Sequence, residues 1–221
     1  MAAEDSVRFL PALVLAMQQV HQEGQDISTR SFALLMEHIL GIFDYLGAVL
    51  HFAKADMITK SNSLKQVAVQ LPLLRDVVQE DSRRGTVTVK DSCARNMHRL
   101  VCVVTFMRVL LEQFARSPSV TVKEAATAAY EQALAPIHTY VIRTAVWAGM
   151  YVLPSREHFM HQLGETEQSA RQSALAFLAC SKDVEQRVLR LFAGINMPAS
   201  TPTSNILAGL WGHSTAATPA R

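Results

Sequence analysis

Apolar residues return every three or four positions along most of the chain, the spacing of helices that bury one face. Residues 6–22 place Phe9, Leu13, Ala16, Met17 and Val20 in this way, and Gly24 followed by Asp26, Ile27 and Ser28 reads as a stop and a new cap. Residues 29–60 continue the pattern through Phe32, Leu35, Ile39, Phe43, Leu46, Leu50 and Phe52. They predict one long, nearly continuous helix in which Gly41 and Gly47 mark close packing or a bend. Residues 62–79 predict an amphipathic helix kinked at Pro72, with a loop over Asp81–Gly85. The alternation Thr86–Val89 suits a short strand but has no obvious partner. From Asp91 to Ala115 the pattern predicts a strong helix, apolar almost all round between Leu100 and Leu111 and therefore buried on most sides. One or two helices follow over 121–150 around Pro136, Ser155 caps another, and 165–195 supplies one or two final helices. After Pro198 the composition turns to Ser, Thr, Ala and Pro, broken only by Ile206–Trp211. The expected architecture is all-α: one domain over 1–197 and a flexible, loosely attached tail over 198–221.

Composition narrows the function. The 221 residues are 49% hydrophobic, enough for a sizeable core. Lys and Arg number 21 against 19 Asp and Glu, and a formal charge of +2 gives no electrostatic case for nucleic acid. Three scattered cysteines, Cys93, Cys102 and Cys180, form no CxxC pair, so neither a disulfide framework nor a cysteine zinc site is expected. Glu4 and Asp5 stand where a signal peptide wants positive charge, and no apolar run reaches the ~18–20 residues of a membrane span. A cytosolic protein is expected. No nucleotide-binding, nucleophile-elbow or zinc-protease motif is present. His158 and His161 share a helix face without a third ligand nearby. Catalysis, metal and cofactor are not expected.

The informative polar residues border apolar helical stretches. Asp56 and Lys60 are spaced i, i+4, which fits a surface ion pair or a polar site. Arg95 and Arg99 have the same spacing at the start of the most apolar helix, where neighbouring like charges and the helix dipole both oppose them. Such a pair is either a solvated basic face or an anion site, for which the planar guanidinium fork suits phosphate. His138 has apolar neighbours on both sides; it reads as a satisfied core residue or as a hydrogen-bond donor.

Three ordered blocks resemble the glycolipid transfer protein superfamily over roughly residues 30–195. They are Ile42–Gly47 with Lys54–Lys60; Ser92–Asn96 with Arg99 and Leu110–Phe114; and Leu134–Pro136, His138, Thr139 and Ile142–Val146 through Leu153–Arg156. The resemblance implies a two-layer helical sandwich that carries one sphingolipid between membranes, its head group at the surface and its chains between the layers. Asp56 matches the acceptor for the sphingoid amide N–H, and His138 the donor to the amide carbonyl. Glycolipid carriers are expected to have Asn and Trp at the positions of Lys60 and Arg99. Cations there, with Arg95 as a third, resemble the ceramide-1-phosphate branch, and the plant accelerated-cell-death members more than the animal ones. A link to programmed cell death is implied. About 30 methylenes at ~0.8 kcal/mol each give such a lipid an aqueous penalty of order 24 kcal/mol, which is why a carrier is needed. Phe43, Leu46, Phe52, Val103, Phe106, Leu110 and Ala145 are candidates to line its pocket. Tyr140, where the family tends to place a Trp, is expected to touch membrane weakly, aided by Arg83 and Arg84. A monomer in transient, peripheral membrane contact is expected. A sugar-lipid carrier and a helical adaptor with a degenerate pocket are the alternatives.

Overall fold

The computed structural model describes residues 8–47 and 51–200, with the side chains of His51 and Phe52 outside the description. Among the described residues the chain is helical: α1 (Phe9–Gln22), α2 (Thr29–Leu40), α3 (Ile42–Leu46), α4 (His51–Val67), α5 (Leu74–Arg83), α6 (Cys93–Arg116), α7 (Val122–Ala133), α8 (Tyr140–Met150), α9 (Arg156–Leu163) and α10 (Glu167–Arg190), with a 3₁₀ turn over Ala135–Ile137. The helices sort into two layers. In one, α1 packs on α2 and α2 on α4; in the other, α10 packs on α6 and α6 on α7; α1 meets α10, and α2 and α4 meet α6, across the middle. The long apolar stretch of α6 lies at the centre, with Leu100, Val101, Val103, Val104, Met107 and Leu110 all buried as its composition predicts.

Local chemistry sets the helix ends. The hydroxyls of Ser28, Ser92, Thr121, Ser155 and Thr166 each accept a backbone N–H in the first turn of the helix that follows. The expected single helix over 29–60 is instead three. At Gly41 a side chain would strike the Phe9 ring, so glycine there permits close packing of α1. At Gly47 φ is +104°, open to glycine and strained for other residues, and α3 ends. The expected helix over 62–79 also divides. Pro72 kinks nothing: it lies in the turn between α4 and α5, where its carbonyl accepts the N–H of Thr29 and Leu74 N–H donates to Ile27. α5 runs on to Arg83, so the expected loop begins only at Arg84. Thr86–Val89 forms turns, not a strand.

The tail is not loose from its first residue. Pro198, Ala199 and Ser200 are hydrogen-bonded onto the domain, while Ile206–Trp211 lie outside the described residues. No helix among the described residues is long and apolar enough to cross a membrane.

Candidate functional site

Five polar residues singled out in the sequence meet in one cleft. Asp56 and Lys60 reach it from α4, Arg95 and Arg99 from the first turns of α6, and His138 from the segment between the 3₁₀ turn and α8. Ala53 and Met57 on one side and Ile142 and Val146 on the other give the cleft an apolar wall. The cleft holds about 60 Å³. A cavity of ~150 Å³ accommodates a benzene, so this space takes head-group atoms but no hydrocarbon chain. A groove along Phe114, Arg116, Arg171 and Leu175 is broader, but none of these five residues reaches it.

Arg99 decides the electrostatics. It is only 2% exposed, and no carboxylate pairs with it among the described residues. One Nη meets His98 Nδ1 at 3.1 Å, the other donates to the Pro198 carbonyl, and Nε is buried without an acceptor. Burial pushes its pKa down from the ordinary value, yet an arginine stays cationic at neutral pH. A buried cation without a counter-charge costs several kcal/mol, which an incoming anion would offset. Arg95, one turn away, is half-buried and spends its two Nη groups on the carbonyls of Thr88 and Ala199, both at 3.0 Å. The helix dipole that opposes these cations has an internal answer. Asp81, buried at the end of α5, accepts the Ala94 N–H at 2.7 Å and so places a carboxylate at the α6 N-terminus.

On the opposite wall, Lys60 Nζ donates to Asp56 Oδ1 at 2.6 Å, with side chains 13% and 17% exposed. The pair is thus not a solvated surface contact, and Oδ2 of Asp56 takes no hydrogen bond among the described residues. His138 is held neutral: burial, then the nearby Arg99, Arg143 and Lys60, drive its pKa down to about 4. Its Nδ1 lies 3.2 Å from the Tyr130 hydroxyl. Burial pushes the Tyr130 phenol up to about 12, so the hydroxyl keeps its proton at neutral pH and is able to donate to Nδ1. A Tyr130 hydroxyl that donates to Nδ1 leaves the ring's hydrogen on Nε2, available to a ligand.

Several residues of this site were not singled out from the sequence. Tyr130 hydrogen-bonds the His138 ring from eight positions upstream. Lys90 adds a fourth cation to the rim. Asn96 is buried and ties α6 to α4 under the cleft, donating to Ser63 Oγ at 3.0 Å and to the Asp91 carbonyl at 3.3 Å. Capping patterns and charge spacing point to none of these, because each depends on a contact between separate segments.

The candidate membrane residues fall elsewhere. Tyr140 is 82% exposed at the start of α8, and Thr144, Trp147 and Tyr151 continue its face at i+4, i+7 and i+11. Trp147 packs edge-on against Tyr130, and Lys123 sits over the Tyr151 ring at 4.0 Å. The face therefore carries two further aromatics beside Tyr140. Arg83 and Arg84 lie outside the cleft and share one carboxylate, Glu80, at 2.8 and 2.6 Å. Hydrogen bonding from Arg83 leads the effects that hold Glu80 at about 2. Of the apolar pocket candidates, Phe43, Leu46, Val103, Phe106, Leu110 and Ala145 are all packed core and none lines the cleft. Phe52 lies outside the described side chains.

Comparison with known proteins fits this geometry. The family model described as glycolipid transfer protein matches residues 27–165. An ACD11 homolog protein of Arabidopsis thaliana is 29% identical over 188 residues, covering 85% of this chain and 82% of the relative. The solved structure of an Arabidopsis accelerated-cell-death 11 point mutant, complexed with C12 ceramide-1-phosphate, superposes with a TM-score of 0.81 at 25% identity, covering 86% of this chain and 96% of that one. Human ceramide-1-phosphate transfer protein in complex with 12:0 ceramide-1-phosphate shares the fold, with a TM-score of 0.76 at 19% identity over 85% and 98% of the two chains.

Proposed function

The chain belongs to the glycolipid transfer protein family, and on that premise we propose that it carries ceramide-1-phosphate, or a closely related phosphosphingolipid, between membranes without catalysis. The observation that carries this reading is the buried Arg99, without a carboxylate partner among the described residues, beside Arg95 and across the cleft from Lys60. Three cations suit the three terminal oxygens of a phosphate, and charge-assisted bonds are about twice as strong as neutral ones. A sugar offers no charge to offset that of Arg99. Asp56 Oδ2 accepts the ceramide amide N–H and the His138 Nε2–H donates to the amide carbonyl, which satisfies both polar ends of a group entering an apolar site. The hydrocarbon chains pass the wall of Met57, Ile142 and Val146 and enter between the layers, which must part to admit them. The aromatic face of α8 rests transiently at the membrane interface, with Arg83 and Arg84 as peripheral contacts. The protein acts as a cytosolic monomer. The names of its plant relatives support a role in restraining programmed cell death.

Vesicle-to-vesicle transfer tests the head-group chemistry. Lys60→Ala, Arg95→Ala and Arg99→Ala each remove a contact of about 1.5–3 kcal/mol and should weaken ceramide-1-phosphate binding roughly tenfold or more. Asp56→Val should abolish transfer through loss of the amide anchor. Far-UV circular dichroism should be unchanged throughout. Efficient transfer of glucosylceramide by the wild type, undiminished in Arg99→Ala, would overturn the phosphate assignment.

A further inference from the structure

Beyond α10 the chain turns over residues 191–194 and then crosses the cationic end of the cleft. Partly buried Ile195 and Met197 pack on the core as it does so. Two consecutive carbonyls face the two arginines: Pro198 O accepts from Arg99 Nη2, and Ala199 O accepts from Arg95 Nη2 at 3.0 Å. Ser200 completes the crossing. Its N–H donates to the Ile137 carbonyl at 2.7 Å, it pairs in parallel with His138 as an isolated β-bridge, and it lines the cleft. Three residues therefore bridge the α6 arginines and the His138 segment, the two sides between which a head group would bind.

We infer that Pro198–Ser200 is an internal competitor for the anion site, a strap that must lift before a phosphate can engage Arg95 and Arg99. The inference rests on the head-group reading above and adds to it a means of control. The strap satisfies the arginines only in part. Each carbonyl is a neutral acceptor holding a single N–H, and Arg99 Nε has none. A phosphate presents charged oxygens that can take Nε and Nη2 together, in the bidentate geometry that guanidinium favours. The exchange runs toward the lipid, while the empty site keeps its buried cation from being wholly unsolvated. The carbonyls themselves are the competing groups, so the strap acts through its backbone, and its only anchor across the cleft among the described hydrogen bonds is the Ser200 N–H.

Ser200→Pro deletes that N–H and leaves every other cleft side chain in place. Acetyl-chain ceramide-1-phosphate is the probe, titrated into the full chain as wild type, Ser200→Pro and Arg99→Ala, with amide exchange at Ser200 followed by NMR in the wild type. The expected result is binding about fivefold tighter in Ser200→Pro than in the wild type, and faster exchange at Ser200 in the lipid-bound wild type. If the wild type binds, yet Ser200→Pro binds equally or more weakly and Ser200 stays protected, the strap is part of the bound site and competition is overturned. The head-group reading survives that outcome. If neither the wild type nor Ser200→Pro binds better than Arg99→Ala, both fall. The exchange measurement needs no variant, so a poorly folded Ser200→Pro protein would not shelter the proposal.

Discussion

The first two turns of α6 and the three that follow are built from one helix and face opposite conditions. Arg95 and Arg99 open on a cleft of about 60 Å³, with carbonyls as partners and one buried donor unsatisfied. From Leu100 to Leu111 most side chains are buried in close packing, and the cavity nearest Leu110 amounts to only about 10 Å³. The polar end is therefore formed in advance, at some cost in stability, whereas the apolar end is filled by the protein's own side chains. In a carrier this division has a use. On the proposed reading, head-group selection would occur on a site that needs no rearrangement beyond a three-residue strap, while room for hydrocarbon would arise only as the two layers part around a lipid already held.

Truncation at the two ends of this helix should separate the two conditions most strongly. Leu110→Ala removes packed core and should cost about 2–5 kcal/mol, lowering Tm by roughly 5–15 °C. Arg95→Ala should move Tm by no more than a couple of degrees while depressing transfer. Equal losses of Tm from the two substitutions would break the comparison, since the cleft would then be as structural as the core. Differential scanning calorimetry decides it.

What the sequence made legible follows the same division. Hydrophobic periodicity exposed α6, α1 and α10 because a stripe repeated over many turns is a local property, and the Ser28 and Ser155 caps were readable from residues within one turn. The breaks in 29–79 were hidden because periodicity runs straight through them. Gly41 keeps a helical φ of −58° at the boundary between α2 and α3. The turn at Pro72 is decided by hydrogen bonds to Ile27 and Thr29, more than forty positions away. At the site, Asp56, Lys60, Arg95, Arg99 and His138 emerged from polar residues interrupting apolar runs, given force by the family resemblance. Asp81, Tyr130, Asn96 and Ser200 did not, because each acts through a partner brought near by the fold alone. The attachment of residues 198–200 was hidden for a related reason: a Ser/Thr/Ala/Pro composition argues against a core but says nothing of backbone carbonyls, which every residue carries.

A smaller effect sharpens the comparison through pH. His138 and His98 both border the cationic end. Burial and nearby cations hold each at about 4, against an ordinary value of 6.5; for His98 burial is the larger cause and Arg99 the second. Because the folded values lie below the unfolded ones, the unfolded chain takes up protons first as pH falls. Stability is full above about 6.5 and is lost between 6.5 and 4. At pH 5 each ring costs at most about 2 kcal/mol, less where water reaches it. Urea unfolding at pH 7 and pH 5 should show this loss, and His138→Gln should recover about half of it. A pH-independent midpoint would mean that neither ring is held neutral by the site.

The smallest expected effect concerns the outer surface, where two patches compete as membrane contacts. Arg83 and Arg84 bring two charges, each worth about 1 kcal/mol near an anionic leaflet. Both are already engaged by Glu80, so the cluster presents about one net charge to the membrane. The α8 face offers Tyr140 and Tyr151, 82% and 75% exposed, three turns apart on one side of a helix that borders the cleft. Amphipathic rings settle at the depth of lipid head groups, and that attachment resists salt where charge does not. Arg83→Gln/Arg84→Gln should thus lower binding to anionic vesicles severalfold at low salt and leave it unchanged at physiological ionic strength. Tyr140→Ala/Tyr151→Ala should lower it by more, at both. Sedimentation with phosphatidylserine-containing vesicles at two salt concentrations reads both variants. If the arginine pair dominated at physiological salt, docking would be directed by α5, and the aromatic face of α8 would need another explanation.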